Sequence, residues 1–388
     1  MGVKIAMVGQ KGIPATYGGV ERHVEELSKR LVARGHQVTV YCRFHYTPQL
    51  PEGGRYHGIR LLRVPSWNTK HFDTATHVFL ATVDALFRSC DIVHFHALGP
   101  SLFSLLPRWR GASTVVTVHG LDWQREKWGR LASWVLQRCE YPAVHFPDRT
   151  IVVSRTLQKH FIENYRRDTI YIPNGTHIPT PRAPTRLGRF QLEPGKYVLF
   201  VGRLTPEKGV HYLIEAFQDV ETDMKLAIVG GMSFTEGYVS ELKKYESERV
   251  RLLGYCYGEI LEELWSNAYV VVLPSTMEGL SIALLEALSH GRCVLMSDIP
   301  ENLEVASECA LTFRSRDIGD LREKLQGLLR DPEQVRRYEA LARERIREHY
   351  NWDRVVDGTE AAYRDLRAAR RGGARPGAAT AAGSHGGA

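Results

Sequence analysis

Tyr269-Val270-Val271-Val272-Leu273-Pro274-Ser275-Thr276-Met277-Glu278-Gly279-Leu280-Ser281-Ile282-Ala283-Leu284-Leu285-Glu286 is the stretch that decides the fold. Its first seven residues are apolar and rich in β-branched side chains, which predicts a parallel strand covered on both faces. From Leu280 to His290 the length and apolar character predict a helix. Glu278 then falls in the tight loop between strand and helix, and Glu286 about two turns down that helix. In open α/β sheets ligands bind beyond the carboxyl ends of the strands, so this loop is an expected ligand site. A carboxylate there can accept hydrogen bonds from sugar hydroxyls. Two carboxylates also suit the acid and base of a hydrolase.

Outward from this stretch, strand-like and helix-like segments alternate, which predicts an α/β protein with parallel sheets wrapped by helices. In the first half the strand candidates run from Lys4 to Val8, Gln37 to Cys42, Asp91 to His96, Ser113 to His119 and Thr150 to Val153. Glu21 to Arg34 is an amphipathic helix with Val24, Leu27 and Leu31 on one stripe and Gly35 as its stop. A second series begins at Tyr197–Gly202 and continues at Lys225–Gly230, Val250–Leu253 and Cys293–Ser297, with helices from His211, Glu236, Leu261 and Leu280 between. The turn-rich segment from Pro173 to Gly195 separates the two series. A length of 388 residues suits two domains. The expected architecture is two doubly wound Rossmann-like domains facing each other across a cleft, residues 1–178 and 179–350. Residues 372–388 are Gly/Ala-rich and expected to be a disordered tail.

Charge is unevenly spread. Residues 1–180 carry 23 Lys and Arg against 13 Asp and Glu, and the remainder 28 against 31. A basic first half suits an anionic lipid, a phosphorylated acceptor or nucleic acid. Nucleic acid is disfavoured, because no helix-turn-helix, zinc finger or aromatic RNA-binding signature accompanies the charge. Six cysteines without CxxC spacing read as buried thiols. No run approaches the roughly 20 apolar residues needed to span a bilayer, and the first residues read as a strand rather than a signal peptide, so a cytoplasmic location is expected. Trp123 to Arg138 interleaves Arg125, Lys127, Arg130 and Arg138 with Trp128, Leu131, Trp134 and Val135. It reads either as a helix lying on an anionic membrane surface or as an ordinary amphipathic helix whose tryptophans face the core and whose cations face water.

Three further groups carry chemistry. Gly202-Arg203-Leu204-Thr205-Pro206-Glu207-Lys208-Gly209 follows a strand and opens a helix, so Arg203 and Lys208 can converge on a diphosphate. Gly18 and Gly19, just before the first helix, let backbone amides approach an anion. The segment matches neither GxGxxG nor GxxxxGK[ST], which disfavours dinucleotide-binding and P-loop assignments. His119 ends a strand, as do His94 and His96, which share a face. Without a carboxylate at ligand spacing these histidines do not predict a metal centre. The chain also has no Asp-x-Asp with which to hold a nucleotide-bound divalent ion.

Together, Tyr17-Gly18-Gly19-Val20-Glu21, His119-Gly120, Gly202-Arg203 with Lys208-Gly209, and the Glu278/Glu286 pair resemble the retaining family 4 glycosyltransferases of the GT-B fold. The resemblance spans the chain to about residue 370. It implies that the second domain binds a nucleotide-diphosphate sugar, with UDP, GDP and dTDP all open, that no other cofactor or metal is used, and that the first domain binds the acceptor. It also implies that the terminal helix, residues 351–371, returns to the first domain. Residue by residue, it places Arg203 and Lys208 on the diphosphate, Glu278 on the transferred sugar and Glu286 on the ribose. The amides of Gly279, Leu280 and Ser281 would add donors, Gly19 would approach the phosphate, His119 the sugar, and Tyr255 would lie near the base. Gly12-Ile13-Pro14-Ala15 before Tyr17-Gly18-Gly19 is similar to a subgroup of bacterial envelope-polysaccharide enzymes that includes rhamnosyltransferases. Sugar transfer to a glycan or lipid-linked acceptor is the leading expectation. A sugar-nucleotide epimerase, a glycoside phosphorylase and an inactive sugar-nucleotide binder are the alternatives.

Overall fold

The structure is a computed structural model, and it describes residues 2–15, 18–46, 54–67, 69, 72–124, 129–231 and 236–371. Tyr17, Arg125, Lys127, Trp128 and the expected tail lie outside these. Eight strands form the first sheet: β1 (Lys4–Val8), β2 (Gln37–Arg43), β3 (Arg55–Tyr56), β4 (Ile59–Val64), β5 (Ile92–His96), β6 (Ser113–Val118), β7 (Arg149–Val152) and β8 (Ile170–Tyr171). Their order is β3-β4-β2-β1-β5-β6-β7-β8, parallel apart from the β3–β4 hairpin. The second sheet holds β9 (Tyr197–Val201), β10 (Lys225–Val229), β11 (Val250–Gly254), β12 (Val270–Leu273), β13 (Cys293–Ser297) and β14 (Leu311–Phe313), in the order β11-β10-β9-β12-β13-β14. This is a doubly wound parallel sheet whose order reverses between β9 and β12. In the first sheet the reversal lies between β1 and β5.

Burial explains the strand composition. Val270, Val271 and Val272 are fully buried, as are Ile5, Ala6, Met7 and Val8, because helices cover both faces of each sheet. The Gly19–Ala33 helix turns Val24, Leu27 and Leu31 into the first core. The Ile282–Ser289 helix buries Leu284, Leu285, Ala287 and Leu288 in the second lobe. None of the six cysteines is in a disulfide; five are buried and Cys90 is partly covered.

The charged stretch after Pro332 is two helices, Pro332–His349 and Trp352–Arg371, separated at Tyr350–Asn351. The second packs against the first lobe, burying Trp352, Val355, Val356, Tyr363 and Leu366 beside Ile5, Met7, Ile92 and Val115. Arg34 Nη1 meets Asp357 and Glu360 at 2.6 Å each, and His36 Nε2 meets Glu360 at 2.7 Å. Deeper, the Tyr363 hydroxyl lies 2.6 Å from His94 Nδ1, both fully covered. On the opposite side, the Glu304 carboxylate accepts from the Arg155 amide at 2.8 Å, so a second-lobe side chain caps the first-lobe helix Arg155–Tyr165.

Elements beyond the sequence reading include the β3–β4 hairpin, the edge strands β8 and β14, and the helices Phe72–Phe87, Arg155–Tyr165, Pro300–Ala306 and Ile318–Arg330. The strand expected to reach His119 stops at Val118, which leaves His119 in the loop facing the cleft. Replacing Tyr363 with Phe strands the buried His94 nitrogen without its partner. It should lower the unfolding free energy by about 1–3 kcal/mol, read from chemical denaturation.

Candidate active site

The second sheet reverses its order where the loops after β9 and β12 emerge, and these loops carry Arg203, Lys208 and Glu278. They are laced together. The Thr276 amide donates to the Glu207 carbonyl at 2.9 Å. Gly209 has φ 68°, and a Cβ there would lie 2.0 Å from the Pro274 carbonyl oxygen, so only glycine fits. Lys208 Nζ donates to Glu278 Oε1 at 2.5 Å, and the Ser275 hydroxyl donates to the same oxygen at 2.8 Å. Burial alone would raise the Glu278 carboxyl; Lys208, the Ser275 hydroxyl and Arg203 outweigh it and hold the group below the usual carboxylate range.

The first lobe closes over this pair. A Cβ on Gly279 would lie 1.9 Å from the His119 carbonyl oxygen, so backbone meets backbone across the cleft. Gly18, with φ 105°, precedes the Gly19–Ala33 helix, and a Cβ on Gly19 would come within 3.1 Å of Ile282. The N-termini of the Gly19–Ala33 and Ile282–Ser289 helices therefore converge, and two positive dipole ends make the space between them attractive to an anion. Ser281 caps the second helix, its hydroxyl accepting from the Leu284 amide at 3.3 Å. Leu280 is buried and Gly279 partly covered. Glu286 lies further down the helix and is paired across the cleft: Arg22 Nη1 approaches its Oε1 to 2.5 Å. Tyr255 is exposed, covers Gly231 beyond β10, and stacks on Tyr257 with centroids 5.7 Å apart.

The family model described as Glycosyltransferase Family 4 matches residues 17–178, and the one described as Glycosyl transferases group 1 matches residues 189–345. The chain is a family 4 glycosyltransferase of the GT-B fold. It is 26% identical to alpha-maltose-1-phosphate synthase from Mycolicibacterium smegmatis, over 94% of this chain and 100% of that protein. It is 29% identical to phosphatidyl-myo-inositol mannosyltransferase from Mycobacterium leprae, over 89% of this chain and 92% of that one. Among solved structures, Anabaena HepE in complex with UDP and glucose superposes with a TM-score of 0.76 at 19% identity, covering 94% of this chain and 100% of that one.

Beneath the cleft floor of this glycosyltransferase lies a block of imidazoles. His96 Nδ1 is 3.1 Å from His119 Nε2, the His94 and His96 rings stack with centroids 4.4 Å apart, and His23 meets His119 edge-on at 4.8 Å. Nitrogens of His23, His96 and His119 lie within 4.8 Å of one another. His23, and not His94, completes that group, its ring lying 5.7 Å from that of His96 and 4.8 Å from that of His119. Asn174 Oδ1 holds His23 Nδ1 at 2.7 Å. Burial lowers His23 to about 4 and His94 to about 3, and His96 falls well below the usual value through burial and the other imidazoles. The His23, His94 and His96 rings are therefore neutral, and they orient His119 without adding charge of their own to the cleft.

Arg203, Lys208, Glu278, Gly18, Gly19, Gly279 and Glu286 are thus gathered along one cleft with His119, and Tyr255 stands at the carboxyl edge of the second sheet. Arg22 and His23 were not singled out in the sequence. Their signal was position: the glycines before the first helix put its opening turn in the cleft. Gly279→Ala forces the His119 carbonyl away and opens this contact. Sugar transfer should fall at least about tenfold, close to 1.4 kcal/mol in the barrier, with a melting temperature near that of the unaltered protein.

Proposed function

We propose that this glycosyltransferase moves a sugar, with retention and without a metal ion, from a nucleoside-diphosphate sugar to a glycan or lipid-linked acceptor in bacterial envelope or exopolysaccharide assembly. The observation that carries the reading is the convergence of Arg203, the Lys208–Glu278 pair and two helix N-termini on one interdomain gap. In this reading Arg203, Lys208 and the amides of Gly279, Leu280 and Ser281 take up the charge that grows on the departing diphosphate. Gly18 and Gly19 let the first helix approach the phosphates, Glu286 grips the ribose, and Tyr255 borders the base. HepE, a neighbour in fold, is described with UDP and glucose, which supports a nucleotide-sugar donor.

Glu278, held ionised by Lys208, and His119 position the transferred sugar. On a front-side route the anomeric carbon to phosphate oxygen bond breaks, the acceptor oxygen bonds to that carbon from the same face, and the acceptor proton passes to a leaving phosphate oxygen. This route gives Glu278 a positioning role. The mycobacterial phosphatidyl-myo-inositol mannosyltransferase, by its name, joins sugar to a lipid headgroup and supports the lipid-linked acceptor.

Arg203→Ala and Lys208→Ala each remove charge-assisted hydrogen bonds worth about 1.5–3 kcal/mol, so each should cut transfer roughly 10- to 100-fold while the protein stays folded. The unaltered enzyme should keep its rate in a chelator and leave the donor unchanged when no acceptor is present. Near-normal turnover in either folded variant, or chelator loss restored by a divalent ion, contradicts the reading.

A surface on the first lobe favours an anionic membrane as the place where the acceptor is met. Leu131, Trp134 and Val135 are exposed on the Arg130–Arg138 helix, and Phe79, Leu80 and Phe87 on the Phe72–Phe87 helix, with Trp109 also exposed. Guanidinium groups border them: Arg138 stands 5.3 Å from the Trp134 ring centroid and Arg110 stands 5.9 Å from that of Phe87. Aromatic rings beside cations suit the headgroup layer. Among the described residues no helix is long and apolar enough to cross a membrane. The protein should co-sediment with phosphatidylglycerol vesicles, less so in high salt, and Leu131→Ser with Trp134→Ser should abolish it. Binding indifferent to lipid charge and to these changes counts against the surface.

A further inference from the structure

Arg22 is the cleft residue to which the donor reading gives no part. It lies in the first turn of the Gly19–Ala33 helix, in the lobe opposite the nucleotide site, with its side chain half exposed. Its target is almost covered, Glu286 being 14% exposed, and among the described residues Arg22 is the ion-pair partner, at one carboxylate oxygen, Oε1. A guanidinium that holds one oxygen restricts the rotation of the carboxylate, and so the directions in which the second oxygen accepts.

The surroundings leave this task to Arg22. Burial raises the Glu286 carboxyl above its usual range, and Arg22 draws it back. His290, one turn on, is lowered to about 4 by burial with Arg292 and Arg22, so it is neutral. On the helix packed above, Glu339 pairs with Arg292 at 3.3 Å and Arg343 lies against Gly291, beyond the carboxylate. On the first helix Glu21 accepts from the Lys11 amide at 3.1 Å, and His23 is neutral.

We propose that Arg22 is the positioning residue for Glu286: it holds one carboxylate oxygen so that the other meets the donor's ribose hydroxyls, making a first-lobe residue part of the second lobe's nucleotide site. The proposal rests on Glu286 gripping ribose. Its consequence is that nucleotide affinity depends on the lobes being together, since an open cleft takes the guanidinium away from the carboxylate.

The test is calorimetric titration of the full chain with UDP, GDP and dTDP, the tightest of which becomes the probe across acidic to neutral pH. A protonated carboxyl loses acceptor capacity, and removing Arg22 makes protonation easier. Arg22→Met should therefore weaken binding about tenfold at neutral pH, or about 1.4 kcal/mol, and move the acid-side loss of affinity to higher pH. Arg22→Lys should recover most of both effects. In a Glu286→Gln background, Arg22→Met should add less than about twofold, because the pair acts as a unit. An unchanged affinity and acid limb in Arg22→Met overturns the proposal, as does a loss that persists in full in the Glu286→Gln background. If Glu286→Gln itself binds like the unaltered protein, the ribose reading fails and takes this proposal with it. Melting temperatures confirm that each variant is folded.

Discussion

Where Gly279 meets the His119 carbonyl, two lobes that fold on separate sheets touch backbone to backbone. Any side chain at 279 would overlap that oxygen, so the approach is set by main-chain geometry and not by adaptable side chains. The rest of the site follows from it. Gly19 comes against Ile282, Arg22 reaches Glu286, and the two helix N-termini face one gap. Both strand-order reversals open toward this line of contact, which is why residues more than 250 positions apart share one cleft.

Charge in the cleft is arranged in tension. Glu278 and Glu286 are both largely covered, yet their carboxyls move in opposite directions, Glu278 down with Lys208, Ser275 and Arg203 close by, Glu286 up under burial with Arg22 alone to oppose it. Lys11 is lowered chiefly by burial, with Glu21 opposing and Arg43 and Arg203 adding to the effect. Lys11, Arg203 and Lys208 thus crowd cations around the gap, and a polyanion entering it would relieve their repulsion. The neutral His23, His94 and His96 beneath add no charge to this balance.

Much of this was legible in the sequence because it is local. Tyr269 to Glu286 announces strand, loop and helix through its own pattern, and Arg203, Lys208 and Glu278 sit at loop positions that any doubly wound sheet would turn toward a ligand. The Phe72–Phe87 helix was not legible, since Phe79, Leu80 and Phe87 stay exposed and blur the stripe by which helices are recognised. The β3–β4 hairpin and β14 are too short to carry a period. Arg22 with Glu286, and His23 with His119, are pairings across the chain that no spacing encodes. Part of Trp123 to Arg138 forms a helix, Arg130–Arg138, but none of its residues is buried and Trp134 is exposed, so this tryptophan does not face the core as an ordinary amphipathic helix would have it.

Tyr363 and His94 are 269 residues apart in sequence, and the contact between them closes the first lobe's core. During synthesis, β1 to β8 emerge long before the helix that covers Ile5, Met7 and Ile92 exists. Domains generally fold as units, the N-terminal one first as it leaves the ribosome. Until the second lobe has been made, the first lacks the helix that covers this apolar face and the partner of His94 Nδ1, although His94 Nε2 keeps Thr117. The return helix therefore ties the completion of the first lobe to the synthesis of the second, in time as well as in space.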